Sequence, residues 1–146
     1  MKKWLCTFMA IMVSQAVFAQ TYFECTDTTG SKISFKDLPK EYHALADGEK
    51  LFAYEMSSIG LGHTFFIPKS DIKANQQYFT NENGDKIYQE TISFVYDNIG
   101  YEIEHLTVGE NKTATIKETI LDKESDNQEI YHCDMTKPVI ILLNQL

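Results

Sequence analysis

Apolar and polar residues alternate along most of the chain from residue 20 onward, and turn-forming residues interrupt this pattern every roughly eight to fifteen residues. A two-residue period places successive side chains on opposite faces of a β-strand, so each run can bury one face. The clearest run is Lys86 to Asp97, where Ile92, Phe94 and Tyr96 share a face. An Asn-Gly pair just before it is a strong hairpin signal. No long stretch has the 3.6-residue period of a helix.

This pattern predicts an all-β protein, either a single small antiparallel barrel or a sandwich, of about 8–10 short strands closed by one disulfide. We place the barrel first because closure removes exposed strand edges. The apolar run from Val139 to Leu143 is expected to be a buried closing strand, and residues 40–49 to be a polar link with one helical turn. Residues 69–77 follow neither period, so strand is predicted there only from residue 78.

The first residues have the pattern of a secretory signal peptide. Met1-Lys2-Lys3 is a basic start, Trp4 to Val13 is almost entirely apolar, and Ala19 is a small residue at the expected cleavage site. The apolar run is shorter than the about 20 residues that a membrane-spanning helix needs. We therefore predict a signal peptide over 1–19, a single β domain over 20–146, a periplasmic or secreted location, and no membrane span after cleavage. Cleavage would remove two lysines and no acid, changing the net charge from −8 to −10.

Two cysteines remain in the predicted domain, Cys25 and Cys133. An exported protein meets oxidising conditions, in which two cysteines form one bridge. The expected Cys25–Cys133 disulfide would tie the first strand to one of the last. Closing a loop that spans most of the domain is worth about 4–5 kcal/mol in a chain-entropy model.

The charged residues argue against several functions. All 13 basic residues are lysines, and 21 acids outnumber them. Nucleic-acid binding is not expected, because it needs clustered basic residues. Capture of phosphate or carboxylate ligands is not expected either, because arginine, the side chain that binds these groups with two hydrogen bonds, is absent from the sequence. The acids fall on outward strand positions and in turns. They can form a soluble face, or a field that attracts a basic partner.

No motif predicts catalysis or metal binding. Three short segments resemble the motifs of serine β-lactamases: Ser70–Lys73, Ser125–Asn127 and Lys112–Ala114. The third motif, however, precedes the second and ends in alanine, and the chain is too short for that fold. The four histidines lack the spacing of metal ligands. The acidic run that begins at Asp122 lacks the glycine and the glutamate of an EF-hand loop. We therefore expect no enzymatic activity, no cofactor and no metal.

The first predicted hairpin resembles known exported proteins. Residues 22–39 are similar to the Tyr-x-Cys-x-Asp-x-x-Gly-x-x-x-Phe-x-Asp-x-Pro pattern of an uncharacterised bacterial periplasmic domain, and differ from it by one residue of spacing at two places. The acidic charge and the early and late cysteines also resemble the disulfide-tied β-barrel lysozyme inhibitors of Gram-negative periplasm. Only a loose counterpart of their inhibitory loop is present, at Ser57 to His63. The resemblance implies an exported β fold and transfers no site.

These observations predict a non-enzymatic exported protein that binds and neutralises a basic partner protein, such as a lysozyme or a cell-wall-targeting antibacterial effector. The contact loop is expected within residues 57–63 or 122–128. The candidate partner-binding residues are Ser57, Ser58, His63, Asp122, Glu124 and Asp126. Two alternatives remain open: a carrier of small hydrophobic ligands with a barrel cavity lined by Phe, Tyr and Ile, and a hydrolase that depends on His63 or His105 together with nearby acids.

Overall fold

The computed structural model describes residues 20–121 and 127–146. They form two five-stranded antiparallel sheets. The first sheet has the order β10-β1-β2-β3-β4 and contains β1 (Thr21–Thr26), β2 (Lys32–Asp37), β3 (Leu51–Ser58), β4 (Leu61–Pro68) and β10 (Ile140–Ile141). The second follows chain order and contains β5 (Lys73–Thr80), β6 (Lys86–Tyr96), β7 (Ile99–Val108), β8 (Asn111–Ile120) and β9 (Gln128–His132). Short 3-10 helices lie at Lys40–Ala46, Lys69–Asp71 and Leu143–Gln145.

The all-β prediction is confirmed, and the architecture is the sandwich, not the barrel that we placed first. A closed barrel would require β4 to pair with β5, but these strands are edges of different sheets. Pro68, which has no N–H to donate, ends β4, and the 3-10 helix Lys69–Asp71 carries the chain to the second sheet. On the opposite side the sheets do meet, because an isolated bridge joins Asp27 to Cys133.

Two local expectations differ from the structure. The run from Val139 to Leu143 is not a buried closing strand: only Ile140 and Ile141 pair with β1, and Leu143 is buried from within a 3-10 helix. The chain also forms strand from Lys73, earlier than predicted, because every residue of β5 is exposed and its sequence therefore shows no apolar alternation. The short helical turn within residues 40–49 is confirmed.

The core lies between the sheets and consists largely of aromatic rings at the alternating positions. Phe35 of the first sheet stacks on Phe94 of the second, with ring centroids 5.8 Å apart. Tyr54 contacts Phe94 at 5.9 Å and Tyr101 at 5.2 Å. Such pairs add about 0.5–1.5 kcal/mol beyond the burial of their area. The alternation read from the sequence thus becomes the layer that holds the sheets together.

The predicted disulfide is confirmed: Cys25 and Cys133 are buried and bonded, with Cα atoms 5.7 Å apart. The Cys133 N–H donates to the Ala114 carbonyl oxygen of β8 at 2.9 Å, and the next N–H, of Asp134, donates to the Thr26 carbonyl oxygen of β1 at 2.8 Å. The bridge therefore sits where the chain passes from the second sheet to the first. The predicted signal peptide, residues 1–19, lies outside the described residues.

Candidate partner-binding surface

The β3–β4 hairpin ends in a narrow tip, residues 57–63, which we call the hairpin tip. Three of the predicted contact residues belong to it: Ser57, Ser58 and His63. The register pairs Ser58 with Leu61, so Ile59 and Gly60 form a two-residue turn. Gly60 has a φ of 86°, which glycine adopts without steric cost. The Ser58 hydroxyl donates a hydrogen bond to the Leu61 carbonyl oxygen at 3.1 Å, which braces the turn.

Two side chains of the hairpin tip are both aliphatic and highly exposed. Ile59 has a relative exposure of 104% and Leu61 of 79%. Exposed apolar residues are common singly, but two on a projecting turn present area that a partner can bury. Both residues lie within the predicted contact loop, residues 57–63, but the named candidates were the hydroxyl and imidazole side chains around them. The available signal was an aliphatic residue on each side of the turn glycine.

His63 extends the aromatic core towards the hairpin tip. Its ring lies parallel to that of Phe65, with centroids 5.8 Å apart, and 6.0 Å from the ring of Tyr54. His63, Phe65 and Tyr54 share the inner face of the first sheet, yet only His63 is exposed. The imidazole is therefore held by stacking while its surface remains free for contact.

The second predicted loop begins and ends near the same end of the sandwich. Phe65 stacks on Tyr96 at 4.2 Å, which brings β4 to the last residue of β6. The Leu121 N–H donates to the Asn98 carbonyl oxygen at 2.9 Å, and the Ile120 N–H donates to that of Asn127 at 3.2 Å. This end carries the hairpin tip, the β6–β7 turn and the residues that flank 122–126. We call it the tip end.

Asp122, Glu124 and Asp126 themselves lie outside the described residues. The tip end combines exposed apolar side chains with acids in the described parts of the chain. The exposed apolar residues are Ile59, Leu61, Val95, Tyr96, Ile120 and Leu121. The acids are Asp97, Glu118 and Glu129. This resembles the composition of protein–protein interfaces, which have apolar centres and polar rims.

Glu118 and Glu129 face each other across β8 and β9. The Tyr54 hydroxyl donates to Glu118 Oε1 at 3.5 Å, and the Tyr131 hydroxyl donates to Glu129 Oε2 at 2.6 Å. Burial raises the pKa of Glu118 above its usual range, the Glu129 charge raises it further, and the Tyr54 hydrogen bond lowers it. Like charges directly opposite on a sheet are destabilising. The pair borders a pocket of 450 Å³ that Ile99 and Ile120 also line.

A second acid on the inner face of the second sheet is fully paired. His105 Nδ1 lies 2.8 Å from Glu90 Oε2, and the two residues are only 8% and 4% exposed. The Tyr88 hydroxyl donates to Glu90 Oε1, and the Thr107 hydroxyl lies 3.4 Å from His105 Nε2. Burial and the hydrogen bond to Glu90 raise the pKa of Tyr88. The hydrolase alternative included His105 but not Glu90, although the position of Glu90 is in phase with Ile92 and Phe94.

Other features of the described residues bear on the alternatives. No group of three or more His, Cys, Asp or Glu residues within 20–121 and 127–146 is placed to hold a metal ion. Over the same residues, no helix is both long and apolar enough to cross a membrane. A groove of 730 Å³ runs along the outer face of the second sheet and is lined by residues such as Val95, Glu102 and Lys117. It is open to solvent and lies outside the aromatic core.

The chain matches no protein-family model, no curated protein and no solved structure. Inferences about its function therefore depend on the geometry described above.

Proposed function

We propose that this chain is a non-enzymatic, exported protein that binds a basic protein and neutralises it, and that the tip end is its contact surface. The single observation that carries the proposal is the pair of exposed aliphatic side chains, Ile59 and Leu61, on a braced hairpin at the end of the sandwich where Glu118 faces Glu129. A lysozyme or a cell-wall-targeting effector is the partner class, because such hydrolases combine a basic surface with a cleft that a narrow hairpin can enter.

Charge supports a basic partner. The net charge of the whole chain is −8 and would be −10 without residues 1–19. A charge of this size attracts a basic protein over distances of about 10 Å at moderate ionic strength and raises the association rate. Glu118 and Glu129 add negative potential beside the hairpin tip. Association should therefore weaken as salt is added, while the aliphatic contacts should not.

Export is supported by the disulfide. A buried bridge between Cys25 and Cys133 is typical of proteins from oxidising compartments. Together with the signal-like first residues, it favours the periplasm or the medium as the place of action. The carrier alternative receives less support, because the Phe and Tyr side chains that it would place around a cavity pack on one another, as Phe35 does on Phe52 at 5.2 Å.

The test is an inhibition and capture experiment with the protein purified from the periplasm of a bacterium that expresses the full-length chain. Basic lysozymes and periplasmic extracts are offered at low salt and at roughly 0.5 M salt. We expect a basic hydrolase to be retained at low salt, to be released at high salt, and to lose activity against cell walls when bound. Failure to retain any basic protein at low salt contradicts the proposal.

The chain offers a matched control for the contact residues. Leu61→Ser in the hairpin tip and Leu45→Ser in the 3-10 helix Lys40–Ala46 make the same chemical change at side chains that are 79% and 75% exposed. Leu45 lies between β2 and β3, at the opposite end of β3 from the tip. We expect only the tip variant to lose inhibition, by about tenfold or more, as for an anchor residue at an interface. Equal loss in both variants contradicts the assignment of the surface.

A further inference from the structure

The strand β5 is a long edge without the usual protection. Within residues 20–121 and 127–146 it pairs only with β6, in an unbroken register that runs from the pair Lys73 and Ser93 to the pair Thr80 and Lys86. All eight of its residues are exposed, Lys73 is its only charged residue, and it contains no proline. Edge strands of soluble proteins are normally shortened, charged, bulged or covered, because free backbone N–H and C=O groups pair with other chains. In the described structure β5 has none of these devices apart from the lysine at its start.

The other strand edges of the two sheets differ from β5. β10 is only two residues long, and β9 has five residues that include Glu129. β4 keeps Phe65 and Ile67 buried in the core and ends at Pro68. Among these edges, only β5 has every residue exposed, including Tyr78, whose relative exposure is 77%.

We propose that β5 is a self-association edge, on which a second copy of this chain adds its own β5 in antiparallel orientation. Charge identifies the occupant. The chain carries 21 acids, but residues 72–81 contain none, between Asp71 and Glu82. Two copies of an acidic protein can therefore meet along this strand without acid facing acid. Symmetric two-fold pairs are also the commonest assemblies of identical chains.

Symmetry defines the register of this pair. A two-fold axis perpendicular to the sheet makes one residue face its own copy, and the middle of residues 73–81 is Gln77. Gln76 then lies opposite Tyr78 of the second copy, and Asn75 opposite its Phe79. Lys73 lies opposite Asn81, so no lysine faces a lysine. The Gln77 amide both donates and accepts hydrogen bonds, so it can pair with itself.

The arrangement also covers exposed rings. Tyr78 stacks on Tyr88 at 4.3 Å on the inner face of the sheet, and Phe79 is exposed on the outer face. Each ring gains a neighbour from the second copy in the register centred on Gln77. Cross-strand pairs of this kind stabilise a sheet in addition to its backbone hydrogen bonds.

The first test measures mass in solution by sedimentation equilibrium over a range of concentrations. We expect the wild-type protein to have twice the chain mass, and Gln77→Lys, which places two lysines face to face, to shift the equilibrium towards monomer. Thr64→Lys is the matched control, because Thr64 is exposed on the other long edge, β4. A wild-type monomer, or dissociation by Thr64→Lys and not by Gln77→Lys, overturns the proposal.

Cysteine substitution tests the register without weakening the edge. Only residue 77 faces its own copy, so Gln77→Cys should form an intermolecular disulfide on mild oxidation. Asn75→Cys lies on the same strand and the same face but opposite Phe79, so it should not crosslink efficiently. Equal crosslinking of the two variants overturns the register, and crosslinking of neither overturns the pairing.

Discussion

The inner face of the second sheet carries acids in two contrasting settings. Glu90 is buried, and both of its carboxylate oxygens have partners, His105 and the Tyr88 hydroxyl. Glu118, at the tip end, lies opposite Glu129, and its one side-chain hydrogen bond within the described residues is a long one from Tyr54. The first acid is satisfied by the fold itself. The second is left with repulsion, which a basic partner could relieve.

The contrast separates stability from binding. A buried pair that loses one member leaves an uncompensated polar group, so its residues are needed by the fold. A half-exposed acid opposite another acid lowers the stability of the fold, and such an acid is tolerated where it contributes to function. We therefore expect substitutions around Glu90 to change unfolding, and substitutions at the tip end to change binding.

The largest expected effect comes from the disulfide, which ties the two sheets together beside the core. The double variant Cys25→Ser/Cys133→Ser should lower the free energy of unfolding by about 4–5 kcal/mol, because the bridge closes a loop with a sequence separation of 108. Urea unfolding of the oxidised protein and the variant measures this. A loss below about 1 kcal/mol would mean that the unfolded chain is already compact.

The same substitution at the two acids tests the contrast directly. Glu90→Ala should cost about 3–5 kcal/mol of unfolding free energy, because it leaves His105 and the Tyr88 hydroxyl without their buried partner. Glu118→Ala should cost far less, since it also removes the repulsion from Glu129. Chemical unfolding of both variants is the measurement, and equal losses would remove the distinction between the two settings.

An intermediate effect is expected at the hairpin tip. Ile59→Ser should change the free energy of unfolding by no more than about 0.5 kcal/mol, because its side chain is fully exposed. Its affinity for the captured partner should fall about tenfold, measured by titration calorimetry. The proposed contact surface is wrong if affinity is retained while the fold is intact.

The smallest effect is a pH dependence. The pKa of Glu118 is raised in the folded protein, mainly by burial and then by Glu129. The folded state therefore holds this proton to higher pH than the unfolded state does, so the contribution of Glu118 to stability falls as pH rises from its ordinary pKa through the raised one. Glu118→Gln should remove this slope. Unfolding free energies of wild type and variant across the acidic range check the sign.

Much of the fold could be read from alternation and turn residues. The hairpin of β1 and β2, the long strands β6 to β8 and the disulfide follow from local signals: apolar spacing, Asn and Gly at turns, and two cysteines behind a signal-like first segment. Residues 73–77 of β5 could not be read in this way, because a strand segment exposed on both faces has no apolar period. The turn at residues 59–60 was located correctly. Ile59 and Leu61 lie within the predicted contact loop but were not among its named residues, because exposure is a property of the assembled fold.

The sequence by itself determined the strand class, the positions of most turns and the two cysteines that join, because these depend on neighbours along the chain. The tertiary structure decided which edges stay open, which acids find partners and which loops share an end. Glu90 meets His105 only because the register of β6 and β7 places them opposite each other. Whether the sheet closes depends on how β4 and β5 are oriented after Pro68, and no local pattern contains that long-range geometry.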